Sequence, residues 1–193
     1  MIQIIFLAIC LITSTIYAIL SKEKSIKLIV LSIVTSIPMT ILFKVTTTNI
    51  VLSTIISILY VCAYHDVKHH KIENVAIILV SILSILTSTD IKSSIVQTII
   101  ISIVFIVAIA LNLLNSLGGG DIKLLCSLSL LLNFKEYYLM LIITLTSTII
   151  GYISVRIFYH FKDTNRTSIK SNAIPLGPYI LIGTYATILI CRL

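Results

Sequence analysis

The stretch IVQTIIISIVFIVAIALNLL, Ile95–Leu114, carries no charged side chain from end to end. A helix of about 20 such residues crosses a hydrocarbon core roughly 30 Å thick. The rest of the 193-residue chain has the same character. Hydrophobic residues make up 58% of it, charged residues 11%, and mean hydropathy is +1.14, whereas an ordinary soluble domain is about 25% charged. Reading outward from Ile95–Leu114, the other apolar stretches are Ile2–Leu20, Leu28–Phe43, Ile50–Tyr64, Ile72–Leu86, Ile122–Leu132, Tyr137–Phe158 and Ile174–Ile190. Their abundant Ile and Thr would favour strands in water, but within lipid the backbone must bond to itself, which selects helices. The expectation is an all-α polytopic membrane bundle of about eight apolar segments, six to eight of them transmembrane, forming one domain over residues 1–193. The sixth segment is short. Its rise of about 16 Å means that it either extends through Asn133-Phe134-Lys135 or is re-entrant.

A net charge of +7 raises the possibility of a nucleic-acid partner, and the placement of the charges argues against it. Lys22, Lys24, Lys27, Lys68, Lys71, Lys123, Arg156, Lys162, Arg166 and Lys170 fall in the odd-numbered loops, while only Lys44, Lys92 and Lys135 fall in the even ones. This is the pattern of a protein in a cell membrane with its odd loops in the cytoplasm. The bilayer, not nucleic acid, is the expected partner. Ser21-Lys22-Glu23-Lys24 offers no small-residue cleavage pattern, so the first stretch reads as a retained helix. Cys10, Cys62, Cys126 and Cys191 stand alone, without the paired spacing of a zinc site or a disulfide framework.

Two acids interrupt this apolar background. Asp66 ends the third stretch in Ala63-Tyr64-His65-Asp66, and Asp121 follows Gly118-Gly119-Gly120 at the start of the sixth. Acidic groups at membrane-embedded positions are costly and mark working sites, and two carboxylates that share one proton can hydrolyse a peptide bond. Plainer readings exist for each. Asp121 suits a helix N-cap after a glycine turn, where the glycines would permit either close approach or positive φ. Asp66–Asn74 reads as a solvated polar connector between two helices. His65, His69 and His70 include an i, i+4 pair able to bind a metal. Asn112 and Asn115, with the two acids, could line an ion path, or could simply bond helix to helix.

Three motifs in order narrow these choices. Asp66 is followed six residues later by Ile72-Glu73-Asn74. Gly118-Gly119-Gly120-Asp121 is followed by Ile122-Lys123. Ile174-Pro175-Leu176-Gly177-Pro178 precedes the last helix. Over about Ile50 to Gly183 the chain resembles the type IV prepilin peptidases, the Gly-x-Gly-Asp membrane aspartic peptidases, in a short form lacking the cysteine-rich insert between the first two helices. Presenilin-type proteases share Gly-x-Gly-Asp, but Ile-x-Asn after the first Asp fits the prepilin group better. The resemblance implies that Asp66 and Asp121 are catalytic, with no metal or cofactor. It also implies that Gly118, Gly120, Lys123, Ile72, Asn74, Pro175, Gly177 and Pro178 shape the site or position substrate. The activity implied is removal of a basic leader from a prepilin or pilin-like precursor at the cytoplasmic face of the cell membrane. Glu73 stands where the family has Pro, which removes a rigid helix start and adds an acid suited to the positive end of a helix. Ser21–Lys27 leaves no room for the insert of the bifunctional members, so methyl transfer is not expected. The alternative is a transporter or a non-catalytic assembly protein.

Overall fold

The computed structural model of the chain describes residues 46–88, 90–111, 118–162 and 175–192. The first two apolar stretches, Asn112 and Asn115 lie outside them. Among the described residues the chain is helical, without strands: α1 (Thr47–His69), α2 (Asn74–Thr87), α3 (Ile91–Ala110), α4 (Gly119–Leu128), α5 (Phe134–Lys162) and α6 (Gly177–Arg192). Contacts run from α5 to α6, α6 to α1, α1 to α2, α2 to α4 and α4 to α3.

The buried element is α1, with Leu52, Ile55, Ile56, Ile58, Leu59, Val61 and Cys62 all inside the bundle. Thr46 starts it, its Oγ1 accepting the Asn49 N–H at 3.3 Å. A helix buried on every side must satisfy its own polar groups. Accordingly the Ser53 and Thr54 hydroxyls donate to the Ile50 carbonyl, and the Ser57 hydroxyl to the Ser53 carbonyl, at 2.8–3.0 Å. The helix ends at His70, in the left-handed region at φ 52°, whose N–H donates to the Asp66 carbonyl. Lys68 and His69 occupy the last turn, where positive charge suits the negative end of the helix dipole. Asp66 therefore lies inside α1 rather than in the connector that the sequence suggests.

α3 and α5 face outward, exposing Ile99, Ile103, Val104 and Ile106 on one and Leu145, Ile149, Ile150 and Ile153 on the other. Such continuous apolar surface is untenable in water and ordinary against lipid. Three described helices are long and apolar enough to cross a membrane, over Thr48–His69, Ile91–Ala110 and Phe134–Ile157, while α2 and α6 are apolar but shorter.

α4 has ten residues and rises only about 15 Å. The chain then turns through Ser129–Leu132, held to α3 by the Gln97 Nε2–H on the Leu132 carbonyl (3.2 Å) and by paired Thr98 and Ser129 hydroxyls (2.8 Å). Asn133-Phe134-Lys135 does not extend this helix. The Asn133 N–H donates to Glu136 Oε2 at 3.1 Å, a side chain reaching back three residues as in a capping box, and Phe134 and Lys135 open α5.

α5 and α6 meet through glycines, in the manner of small-residue contacts between membrane helices. A Cβ at Gly151 would overlap the Tyr179 ring, and one at Gly183 would overlap Thr144 Oγ1 and stand 2.9 Å from the Met140 carbonyl oxygen. Gly183→Val is expected to destabilise the protein by about 1–3 kcal/mol, the usual penalty for overpacking. Thermal unfolding in detergent measures this, and an unchanged midpoint would show that α5 and α6 can separate freely.

Candidate active site

The C-terminal end of α1 meets the N-terminal ends of α2, α4 and α6, and this junction gathers the motif residues. Asp66, one turn from the end of α1, is only 5% exposed. Its Oδ2 accepts the Gly177 N–H at 2.8 Å. Gly177 is the first residue of α6, where a backbone N–H has no acceptor within its own helix and the helix dipole is positive. The approach leaves no room for a side chain. A Cβ at Gly177 would lie 3.0 Å from Asp66 Oδ2, 3.1 Å from Asp66 Cβ and 3.2 Å from the Ala63 Cα. Pro178 follows in the first turn, where a missing N–H costs nothing, and the Ile180 N–H closes that turn on the Leu176 carbonyl at 3.0 Å. Pro175 precedes the helix.

Asp121 sits in the first turn of α4, so it is not the N-cap. Gly118 holds that place, without any side-chain capping bond, and the carboxyl is left available. Asp121 Oδ1 is buried without a hydrogen-bond partner. α4 is not among the described helices long and apolar enough to cross a membrane. The Asp121 pKa is pushed up to about 6, first by burial and next by the charge of Asp66, with the Gly118 backbone hydrogen bond pulling the other way. The two carboxyls are 55 residues apart in sequence, yet the charge of Asp66 reaches Asp121.

None of the described glycines has positive φ. Of the two uses that the sequence left open for the triple glycine, space is the one realised. A Cβ at Gly120 would press to 3.1 Å from Ile72 Cβ, and one at Gly118 would stand 2.9 Å from Asp121 Oδ2, while Gly119 has nothing within 4 Å. The outer two glycines are therefore constrained and the middle one is free. Lys123, which the resemblance puts among the residues that shape the site or position substrate, places Nζ 3.4 Å from Asn74 Oδ1. The Ile72–Gly120 and Asn74–Lys123 contacts join α4 to the start of α2. Beyond Asp121, a cavity of about 380 Å³ opens among α2, α3 and α4, with Ser81, Ser102, Phe105, Ile122 and Lys123 on its walls.

His65 and His69 rings lie 4.6 Å apart. His65 Nδ1 is 3.0 Å from the Lys71 carbonyl oxygen, and its Nε2 is 3.5 Å from Glu73 Oε1. Among the described residues no three His, Cys, Asp or Glu side chains converge as metal ligands would. The sequence signals neither the role of His65 beside the connector nor the pairing of Gly177 with Asp66. A lone His beside an Asp carries no distinguishing mark, while Gly-Pro at a helix start does hint at an unused N–H.

A model of the type IV leader peptidase family matches residues 53–155. The match takes in both aspartates and the contacts among Ile72, Asn74, Gly118, Gly120 and Lys123, and it ends before Pro175, Gly177 and Pro178. No curated protein and no solved structure matches the chain significantly.

If Asp66 contributes to the raised pKa of Asp121, Asp66→Asn should lower that pKa from about 6 without restoring the ordinary carboxylate value, since burial is the larger cause. Infrared titration of isotope-labelled aspartate carboxyls measures the shift. An unmoved titration would mean that the carboxyls do not interact.

Proposed function

Since this chain belongs to the type IV leader peptidase family, we propose that it is a membrane aspartic endopeptidase in which Asp66 and Asp121 form the catalytic pair. One observation carries the reading. Two carboxyls from separate helices meet at one end of an apolar bundle, where burial and the charge of Asp66 push the Asp121 pKa up to about 6. Two neighbouring carboxyls do not both ionise readily, so the pair retains one proton.

The chemistry follows from that shared proton. The ionised carboxylate takes a proton from water as the water oxygen adds to the scissile carbonyl carbon. The protonated carboxyl gives its proton to the carbonyl oxygen. Collapse of the resulting diol breaks the C–N bond: the newly protonated carboxyl gives its proton to the leaving amine, and the other carboxylate takes one from a diol hydroxyl as the product carbonyl re-forms, which restores the pair to one proton. The proton belongs to the pair rather than to either residue. The Gly177 N–H fixes the orientation of Asp66, whereas Asp121 Oδ1 is buried with no hydrogen-bond partner among the described residues.

The substrate in this reading is a prepilin or pilin-like precursor whose basic leader is cut just before its apolar helix, at the cytoplasmic membrane face. The bias of Lys and Arg toward the odd loops supports that orientation. Gly118, Gly120, Ile72, Asn74 and Lys123 keep α4 against α2, and Pro175, Gly177 and Pro178 present the N–H that holds Asp66. The cavity beside Ile122 lies within reach of an apolar segment approaching Asp121. Methyl transfer is outside this activity, because Ser21–Lys27 provides no insert to house a donor site.

Asp66→Asn and Asp121→Asn should each reduce leader cleavage at least about a hundredfold while the protein still accumulates in the membrane. Asp90→Asn serves as the control. Asp90 is an exposed N-cap whose Oδ1 accepts the Ser93 N–H, and Asn caps as well as Asp. Sizing of a co-expressed precursor reads the result, and near-normal cleavage by either site variant would remove that residue from the chemistry.

The mass of the mature product tests the second half of the proposal. Loss of the leader with a free N-terminal amine is expected, and a methylated product made by this protein alone would refute it.

A further inference from the structure

Between α1 and α2 runs a short non-helical connector, Lys71–Glu73. One side of it borders the neighbourhood of Asp121, since Ile72 packs on Gly120 and the adjoining Asn74 receives Lys123. On the other side stands His65, next to Asp66 in sequence. Its Nδ1 faces the Lys71 carbonyl at 3.0 Å and its Nε2 faces Glu73 Oε1 at 3.5 Å. A carbonyl can only accept, so Nδ1 carries the hydrogen. One imidazole therefore holds the Lys71 end of the connector by a hydrogen bond and stands beside its Glu73 end.

We propose that His65 is a positioning residue that clamps the Lys71–Glu73 connector onto α1, and through Ile72 and Gly120 sets the place of Asp121 relative to Asp66. The kinetic consequence rests on the peptidase reading, and the clamp itself does not. A three-residue link without helical hydrogen bonds keeps its conformational freedom unless side chains remove it. Reacting groups misplaced by about 1 Å lose on the order of a hundredfold in rate. A partial loosening therefore lowers turnover more than binding.

The backbone offers a bypass. Glu73 is the N-cap of α2, at φ −75° and ψ 137°, within the range that a proline ring imposes. Proline also holds the preceding residue extended, which suits the non-helical Ile72. Glu73→Pro thus stiffens the connector covalently and makes the clamp dispensable.

The test compares wild type, His65→Ala, Glu73→Pro and the double variant in detergent micelles. Hydrogen exchange is followed at residues 70–76, and cleavage of a pilin-like precursor is followed as kcat and KM. In His65→Ala the Ile72 and Asn74 amides should exchange faster, kcat should fall roughly tenfold and KM should stay within about twofold. The alkaline limb of the kcat–pH profile should move to lower pH, because a more distant Asp66 raises the Asp121 pKa less. Glu73→Pro alone should match wild type, and His65→Ala with Glu73→Pro should recover most of both losses. Unchanged exchange and kcat in His65→Ala, or a folded double variant no better than His65→Ala, would overturn the proposal. Where His65→Ala does not accumulate, His65→Phe keeps the ring volume, removes the Nδ1–H donor and should show the same faster exchange. A wild type that exchanges as expected yet cleaves no precursor would refute the peptidase reading and leave the clamp standing.

Discussion

The bond from the Gly177 N–H to Asp66 Oδ2 resolves two costs with one contact. A carboxyl buried in an apolar helix loses its hydration, and the first N–H groups of a helix have no acceptor of their own. Each supplies what the other lacks. The contact also locks the start of α6 against α1, and the closeness it demands excludes a side chain at residue 177. The rest of the junction is built around it. α6 carries α5 with it through the glycine contacts, and α1, held in place by its buried aliphatic residues, presents Asp66 from the middle of the bundle.

Asp121 experiences a different environment from the same neighbourhood. It comes from a helix of ten residues whose far end is turned back and held by Gln97 and Thr98, so its first turn is delivered to the junction without a full membrane crossing. Asp66 accepts the Gly177 N–H, and Asp121 accepts a backbone hydrogen bond from Gly118 while its buried Oδ1 has no partner among the described residues. Burial and the charge of Asp66 together raise the Asp121 pKa against the pull of that hydrogen bond. Glycine acts here through volume rather than through backbone freedom, since none of the described glycines has positive φ.

Helix by helix, much of this was legible in the chain. The apolar stretches from Ile50 onward each became a helix, because in lipid the local hydrogen-bonding demand leaves no alternative. The limits of those helices were less legible. α1 continues through Asp66 to His69 because Lys68 and His69 suit its negative end. α5 begins after Asn133 because Glu136 folds back to cap it. Such endings depend on single polar contacts, which a hydropathy pattern does not resolve. Glu73 is a related case. Its backbone adopts angles open to proline, so the local conformation does not itself demand one residue or the other.

The sequence by itself determined an all-helical membrane chain, the two acids and the spaced glycines around them, because burying charge in so apolar a chain is too costly to occur without purpose. Only the tertiary structure decided that Asp66 bonds to the backbone of Gly177, that Ile72 rests on Gly120, that Lys123 reaches Asn74 and that His65 grips the connector. These contacts join residues up to 111 positions apart. Their energies come from distance, burial and direction in space, which are properties of packed helices and have no counterpart in residue order.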